Sequence, residues 1–160
     1  MTEHVRIAEA KIDRAPSVLK AYGLGSCVAV GLYDPETGFG GLGHMLLPDR
    51  PDDSPAGSES KYVDAGIREI VNDLVHAGAN WDLLVAKITG GANMFEQNFA
   101  TDEGVGARNA RSARETLARL DIPLLAEDTG GSHGRTLEFD LATGAIQVRT
   151  IRGGATLLTL

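Results

Sequence analysis

One cysteine, Cys27, is all that the 160-residue chain contains, so no internal disulfide can form. No apolar run approaches the roughly 18 residues that a bilayer-spanning helix needs, and the start shows no signal-peptide pattern. These absences lead to the expectation of a cytoplasmic protein without membrane insertion. Basic charge is also scarce. The net charge is −7, and only four of the 15 basic residues are lysine (Lys11, Lys20, Lys61 and Lys87). That balance argues against a nucleic-acid partner, which would ask for a basic face. Arg108, Arg111, Arg114 and Arg119 recur at helical spacings among alanines and read as a solvated or partner-facing helix side. Without further cysteines, His4, His76 and His133 show no partner spacing, so no zinc site is expected, and the chemistry of a Cys–His pair needs neither a metal nor an organic cofactor.

What is present is an ordinary globular composition, 42% hydrophobic and 23% charged. There is no internal repeat and no segment long enough to be a linker. The loose stretch from Asp49 to Ser60 reads as an exposed loop, and residues 1–160 are expected to form one domain. Strands are predicted at Val5–Ile12, Val18–Tyr22, Val28–Tyr33 and Phe39–Leu47. The last two flank Asp34-Pro35-Glu36-Thr37-Gly38, a turn signal that makes them a β-hairpin. A helix follows, capped by Ser60, stopped at Gly78, and inward-facing at Val63, Ile67, Ile70, Val71, Leu74 and Val75. Leu83–Thr89 reads as a buried strand ending at Gly90-Gly91. A second helix runs from about Ala107 to Leu120 with Ala110, Ala113, Leu117 and Leu120 inward, and Ile122–Ala126 is another strand. Thr136–Leu141 and Ala145–Ile151 form a second hairpin. The expected class is α+β, a layered α/β sandwich with hairpins at both ends and two helices covering a mixed sheet.

The first hairpin has a chemical consequence. If Tyr33 and Phe39 flank the turn, Cys27 falls opposite His44 or Met45. Directly opposed residues share a face with Cβ atoms about 4.5–5.5 Å apart. A thiol is a good nucleophile only as thiolate, and a neighbouring imidazole can take its proton. Gly25 and Ser26 sit where a sharply turning backbone could aim N–H groups at a bound carbonyl. The residues alone leave two readings open. One is a thiol hydrolase using Cys27 and His44. The other is a structural protein whose cysteine is a small buried hydrophobe. Gly90-Gly91 and Gly130-Gly131 complete neither a P-loop nor a dinucleotide fingerprint and read as tight turns.

Five segments, in this order, resemble the chemoreceptor glutamine deamidase family, CheD. They are Leu24-Gly25-Ser26-Cys27-Val28-Ala29-Val30, Gly43-His44-Met45-Leu46-Leu47-Pro48, Ala86-Lys87-Ile88-Thr89-Gly90-Gly91-Ala92-Asn93-Met94-Phe95, Gly106-Ala107-Arg108-Asn109 and Ala126-Glu127-Asp128-Thr129-Gly130-Gly131. The resemblance implies an α/β sandwich akin to deamidating bacterial toxins, with Cys27 as nucleophile and His44 as base. It implies a substrate, glutamines on the cytoplasmic helices of chemotaxis receptors, and a partner, the CheC-type response-regulator phosphatase. The family's third catalytic position is a threonine six residues before the cysteine. Here that position is Ala21, which offers only its backbone C=O to orient the imidazole. The departure raises the alternative of a non-catalytic regulator of the phosphatase. Met94 and Phe95, apolar residues on a loop, are candidates for contact with a substrate or partner helix.

Overall fold

The computed structural model describes residues 1–94, 104–150 and 156–160. In chain order these give β1 (Thr2–His4), β2 (Glu9–Arg14), β3 (Val18–Leu24), β4 (Val28–Tyr33), β5 (Phe39–Met45) and α1 (Val63–Ala77). There follow β6 (Val85–Gly90), α2 (Val105–Arg119), β7 (Leu124–Thr129), β8 (Arg135–Asp140), β9 (Ile146–Thr150) and β10 (Thr156–Thr159). The strands form two five-stranded sheets, ordered β1-β3-β8-β9-β10 and β2-β5-β4-β6-β7. Both helices lie on the second sheet, α1 chiefly over β5 and β2, α2 over β6, β4 and β7. The α/β sandwich is as expected, with one correction: the strands make two facing sheets rather than one. The helices cover a single outer face.

Strand alternation builds two cores from this arrangement. On β4, Val28, Val30 and Leu32 face the helices and join Ile67, Ile70, Leu74 and Leu117. Cys27 and Ala29 face the other sheet and join Leu19, Leu137 and Phe139. A strand buried on both faces reads as an unbroken apolar run, which is how Val28–Tyr33 appears. The glycines of β5 let α1 approach closely. A Cβ on Gly41 would come within 2.7 Å of Ile70 Cγ2.

Several expectations change at element ends. Val5–Ile12 is not one strand: β1 pairs with β3 in one sheet and β2 with β5 in the other. The crossover between them contains no Gly or Pro, and Ala8 makes the bend at φ 63°. Ser60 does not cap α1, because it lies in a 3₁₀ turn, Glu59–Lys61. The first-turn amides of Val63 and Asp64 instead donate to the Leu47 and Pro48 carbonyls at 2.8 and 3.2 Å. Gly78 does stop the helix, at φ 126°. Val75 lies exposed at the rim of the buried stripe. The edge strand β10 was not anticipated; it extends the second hairpin by pairing with β9. On the Arg108–Arg119 helix side, Arg114 is held by Glu127 at 2.6 Å, and Arg119 reaches Glu115 one turn earlier at 3.9 Å. None of the described helices is long and apolar enough to cross a membrane.

The first hairpin forms as expected, but one residue out of register. Asp34 organises the turn, its Oδ1 accepting from Glu36 N at 2.9 Å and its Oδ2 from Asn80 N at 2.8 Å. Tyr33 pairs with Gly40, so His44 lies opposite Ala29 and Met45 opposite Val28. A one-residue slip normally reverses a face. Here Ala29 and Cys27 are two apart and point the same way, so Cys27 and His44 still share the face between the sheets. Cys27 precedes the paired residues of β4 and stands two residues before Ala29, the ladder partner of His44.

Candidate active site

Cys27 lies just before β4 and is 6% exposed, while His44, near the end of β5, is 1% exposed. Burial is the main influence on both. It pushes the Cys27 thiol above its ordinary value, with its own backbone N–H pulling the other way. It pushes the His44 imidazole down. The Val5 carbonyl opposes that effect, His4 adds to it and Glu9 opposes it. Both shifts favour the neutral form, a thiol at Cys27 and an imidazole at His44.

The β1–β2 crossover grips His44 from two sides. Its Nδ1 lies 3.4 Å from the Val5 carbonyl oxygen, the long end of hydrogen bonding, and the Ala8 N–H donates to the His44 carbonyl at 2.8 Å. A carbonyl can only accept, so Nδ1 carries the proton and Nε2 holds the free lone pair. His44 Nε2 is buried without a hydrogen-bond partner. That is the state a proton acceptor requires. Ala21, the position expected to orient the ring, is wholly buried between the sheets, its backbone in the ladder opposite Leu137. The acceptor beside the imidazole belongs to Val5, sixteen residues earlier in the chain. No sequence signal marks it, since every residue has a carbonyl.

The turn before Cys27 is pinned through its carbonyls. Gly25 O accepts from Ala92 N at 2.9 Å and Cys27 O from Gly91 N at 2.8 Å. Ser26 O accepts from Asn109 Nδ2 at 2.8 Å. In a trans peptide the N–H of the next residue points opposite to each carbonyl. The Ser26 and Cys27 amides are thereby turned away from Ala92 and Asn109, free of the groups that hold Gly25 and Ser26. Gly90, at φ 106°, packs directly on the Cys27 carbonyl, and a Cβ there would collide with it.

The two glycine turns support this loop. Gly130 N donates to Gly90 O at 3.0 Å, and Asn93 N to Gly131 O at 2.8 Å. Arg135, on β8, crosses between the sheets to Asp128 Oδ2 at 3.0 Å and to Gly90 O at 3.3 Å. Sequence reading missed Arg135 and assigned Asn109 no task. Met94 is 48% exposed, with its Cγ 3.1 Å from where a Gly25 Cβ would stand. It therefore sits at the mouth of the Cys27 turn. Phe95 lies outside the described residues. Among the described residues no cluster of three or more His, Cys, Asp or Glu side chains could hold a metal ion.

A sandwich of two sheets with a thiol and a neutral imidazole between them, beside a pinned glycine turn, has the parts for thiol-dependent acyl transfer. Comparison with known proteins defines the group more closely. Residues 46–150 match the family described as CheD chemotactic sensory transduction. The chain is 48% identical over 151 residues to the probable chemoreceptor glutamine deamidase CheD 2 of Geobacter metallireducens, covering 92% of this chain and 93% of that protein. It is 46% identical to the probable chemoreceptor glutamine deamidase CheD of Moorella thermoacetica, covering 92% and 89%. It is 41% identical to the protein of the same name from Pyrococcus abyssi, covering 96% of each chain. This chain belongs to the CheD family. The family match begins after both Cys27 and His44. The 92% coverage of the first relative leaves out at most about 13 terminal residues, so both positions fall within that alignment.

Proposed function

We propose that the chain is a protein-glutamine deamidase acting on chemotaxis receptors, with Cys27 as nucleophile and His44 as general base. The observation that carries this reading is the shared face of Cys27 and His44, with the ring in the tautomer that leaves Nε2 unprotonated. The names of the relatives supply the substrate class.

His44 Nε2 takes the Cys27 thiol proton, and the thiolate attacks the side-chain amide carbon of a bound glutamine. The Ser26 and Cys27 N–H groups stabilise the developing oxyanion. Collapse breaks the C–N bond as the imidazolium returns its proton to the leaving nitrogen, releasing ammonia and leaving a thioester. Water, deprotonated by His44, attacks the thioester carbon; the C–S bond breaks and the thiolate recovers its proton. The product is glutamate, one negative charge more than the starting amide.

Purified receptor cytoplasmic domain is the test substrate, with released ammonia measured and the Gln-to-Glu change checked by mass spectrometry. His44→Ala is expected to slow turnover about 10²–10⁴-fold, the usual worth of a general base. Wild-type-like turnover in that variant would remove His44 from the mechanism.

The pH dependence has a definite sign. Protonating His44 removes the base, and burial holds its pKa below the ordinary value of about 6.5. The acid limb of kcat/KM should therefore reach half-loss on the acid side of pH 6.5. The raised thiol pKa keeps Cys27 protonated at neutral pH, so proton transfer to His44 remains necessary there. A pH–rate profile checks both, and a half-loss above pH 6.5 would contradict the neutral buried pair.

Ala21 favours a second reading, a regulator that binds a CheC-type phosphatase, because no polar side chain occupies that buried position. Cys27→Ala separates the two. A deamidase loses ammonia release, whereas a regulator keeps its whole effect on the phosphatase.

A further inference from the structure

We infer that Asn109 is a positioning residue that ties the nucleophile turn to the strand carrying the base. This rests on the deamidase reading above and assigns a task to a residue that touches neither the thiol nor the imidazole. Asn109 lies on the second turn of α2 and is wholly buried. Its single NH₂ group donates to two carbonyls, Ser26 O at 2.8 Å and Leu46 O at 3.0 Å. Ser26 immediately precedes Cys27, and Leu46 follows His44 by two residues. One amide thus uses both of its hydrogens to fix two segments whose separation decides whether thiol and imidazole can exchange a proton.

The β4–β5 ladder cannot do this alone. Its last pair is Val28 with Met45, so Ser26, Cys27 and Leu46 lie beyond the paired residues. Asn109 acts where the ladder stops. Its helix is itself anchored to the same stretch of chain, with Ser112 Oγ within 2.9 Å of Pro48 O and 3.0 Å of Asp49 Oδ1. Few side chains could replace the amide. Serine has one hydrogen to donate, and an aspartate carboxylate has none and would face two carbonyl oxygens. Leucine, of similar size, would leave both buried carbonyls unsatisfied.

The test compares wild type, Asn109→Asp, Asn109→Ser and His44→Ala, using thermal unfolding to confirm folding. Turnover is read as kcat and KM on the receptor domain. The Cys27 thiol is read separately, by its rate of alkylation with iodoacetamide across pH. Loss of the tether should lower kcat about 10–100-fold with KM changed less than about threefold, since misplacing a reacting group by an ångström costs that much. Cys27 should meanwhile alkylate faster than in wild type. A freed turn exposes the thiol while taking it out of register with His44, so reactivity and turnover move in opposite directions. A packing role would lower the unfolding temperature and leave both readouts of the folded protein as in wild type.

Asn109→Ser keeps one donor and is expected to fall between wild type and Asn109→Asp; it serves as the test variant if the aspartate does not fold. Folded variants with wild-type kcat and alkylation rate would overturn the proposal. If wild type releases no ammonia but alkylation still quickens in the variants, the tether stands and the deamidase reading falls.

Discussion

Replacing Cys27 with alanine is expected to abolish ammonia release, by at least about 10⁴-fold, while leaving the fold intact. The size follows from the nucleophile's role: without it there is no thioester, and the remaining groups only bind and polarise the amide. The survival of the fold follows from the surroundings. Cys27 is a small side chain in the same inter-sheet core as Ala29, Leu24 and Ala21, and alanine removes only its sulfur. That deletion costs on the order of 1 kcal/mol, the range of a small truncation in a core. Circular dichroism and thermal unfolding establish that the variant is folded, and the ammonia assay reads the loss. A folded Cys27→Ala protein that still deamidates would remove the thiol from the chemistry. Cys27→Ser is the stricter version. It keeps the shape and a hydroxyl but, at neutral pH, lacks the thiol's readiness to ionise, so it too should be silent.

Gly90→Ala should have the second large effect, on stability and on activity together. Gly90 stands at φ 106°, where an L side chain is strained, and a Cβ there runs into the backbone carbonyl of Cys27. A backbone atom cannot swing aside as a side chain does, so either β6 or the Cys27 turn must move. The same glycine carbonyl accepts from Gly130 N and from Arg135, so displacement would spread to the cross-sheet ion pair. The expected cost is about 3 kcal/mol or more, with kcat reduced in whatever fraction folds. Gly130→Ala is the matched control. It has φ 83° but nothing within 4 Å of where its Cβ would stand, so it bears the conformational strain without the collision, about 1–2 kcal/mol. Chemical denaturation of both variants isolates the steric part. Equal destabilisation would mean that the close approach of Gly90 to Cys27 is unimportant.

Much of the fold was legible because its signals are local. Asp34 to Gly38 made a turn because Pro presets one φ, Gly38 accepts positive φ, and the Asp34 carboxylate ties down the turn amides. The stripe from Val63 to Leu74 made a helix because one face had to be buried. That hairpin also brought Cys27 and His44 to one face. The inference tolerated a register error only because the pairing moved to Ala29, two residues from the cysteine.

What the sequence determined by itself was therefore the class of fold, the hairpin, and the thiol and imidazole candidates, since turn chemistry and periodicity act over a few residues. The tertiary structure alone decided that there are two sheets and that the Val5 carbonyl meets the imidazole. It also decided that Asn109 and Arg135 reach across to Ser26 and Gly90. Three of these contacts end on backbone carbonyls, which every residue carries, and they join parts of the chain 39, 45 and 83 residues apart. A group common to all residues leaves no mark in the order of side chains. Only the packed fold selects which carbonyl faces which donor.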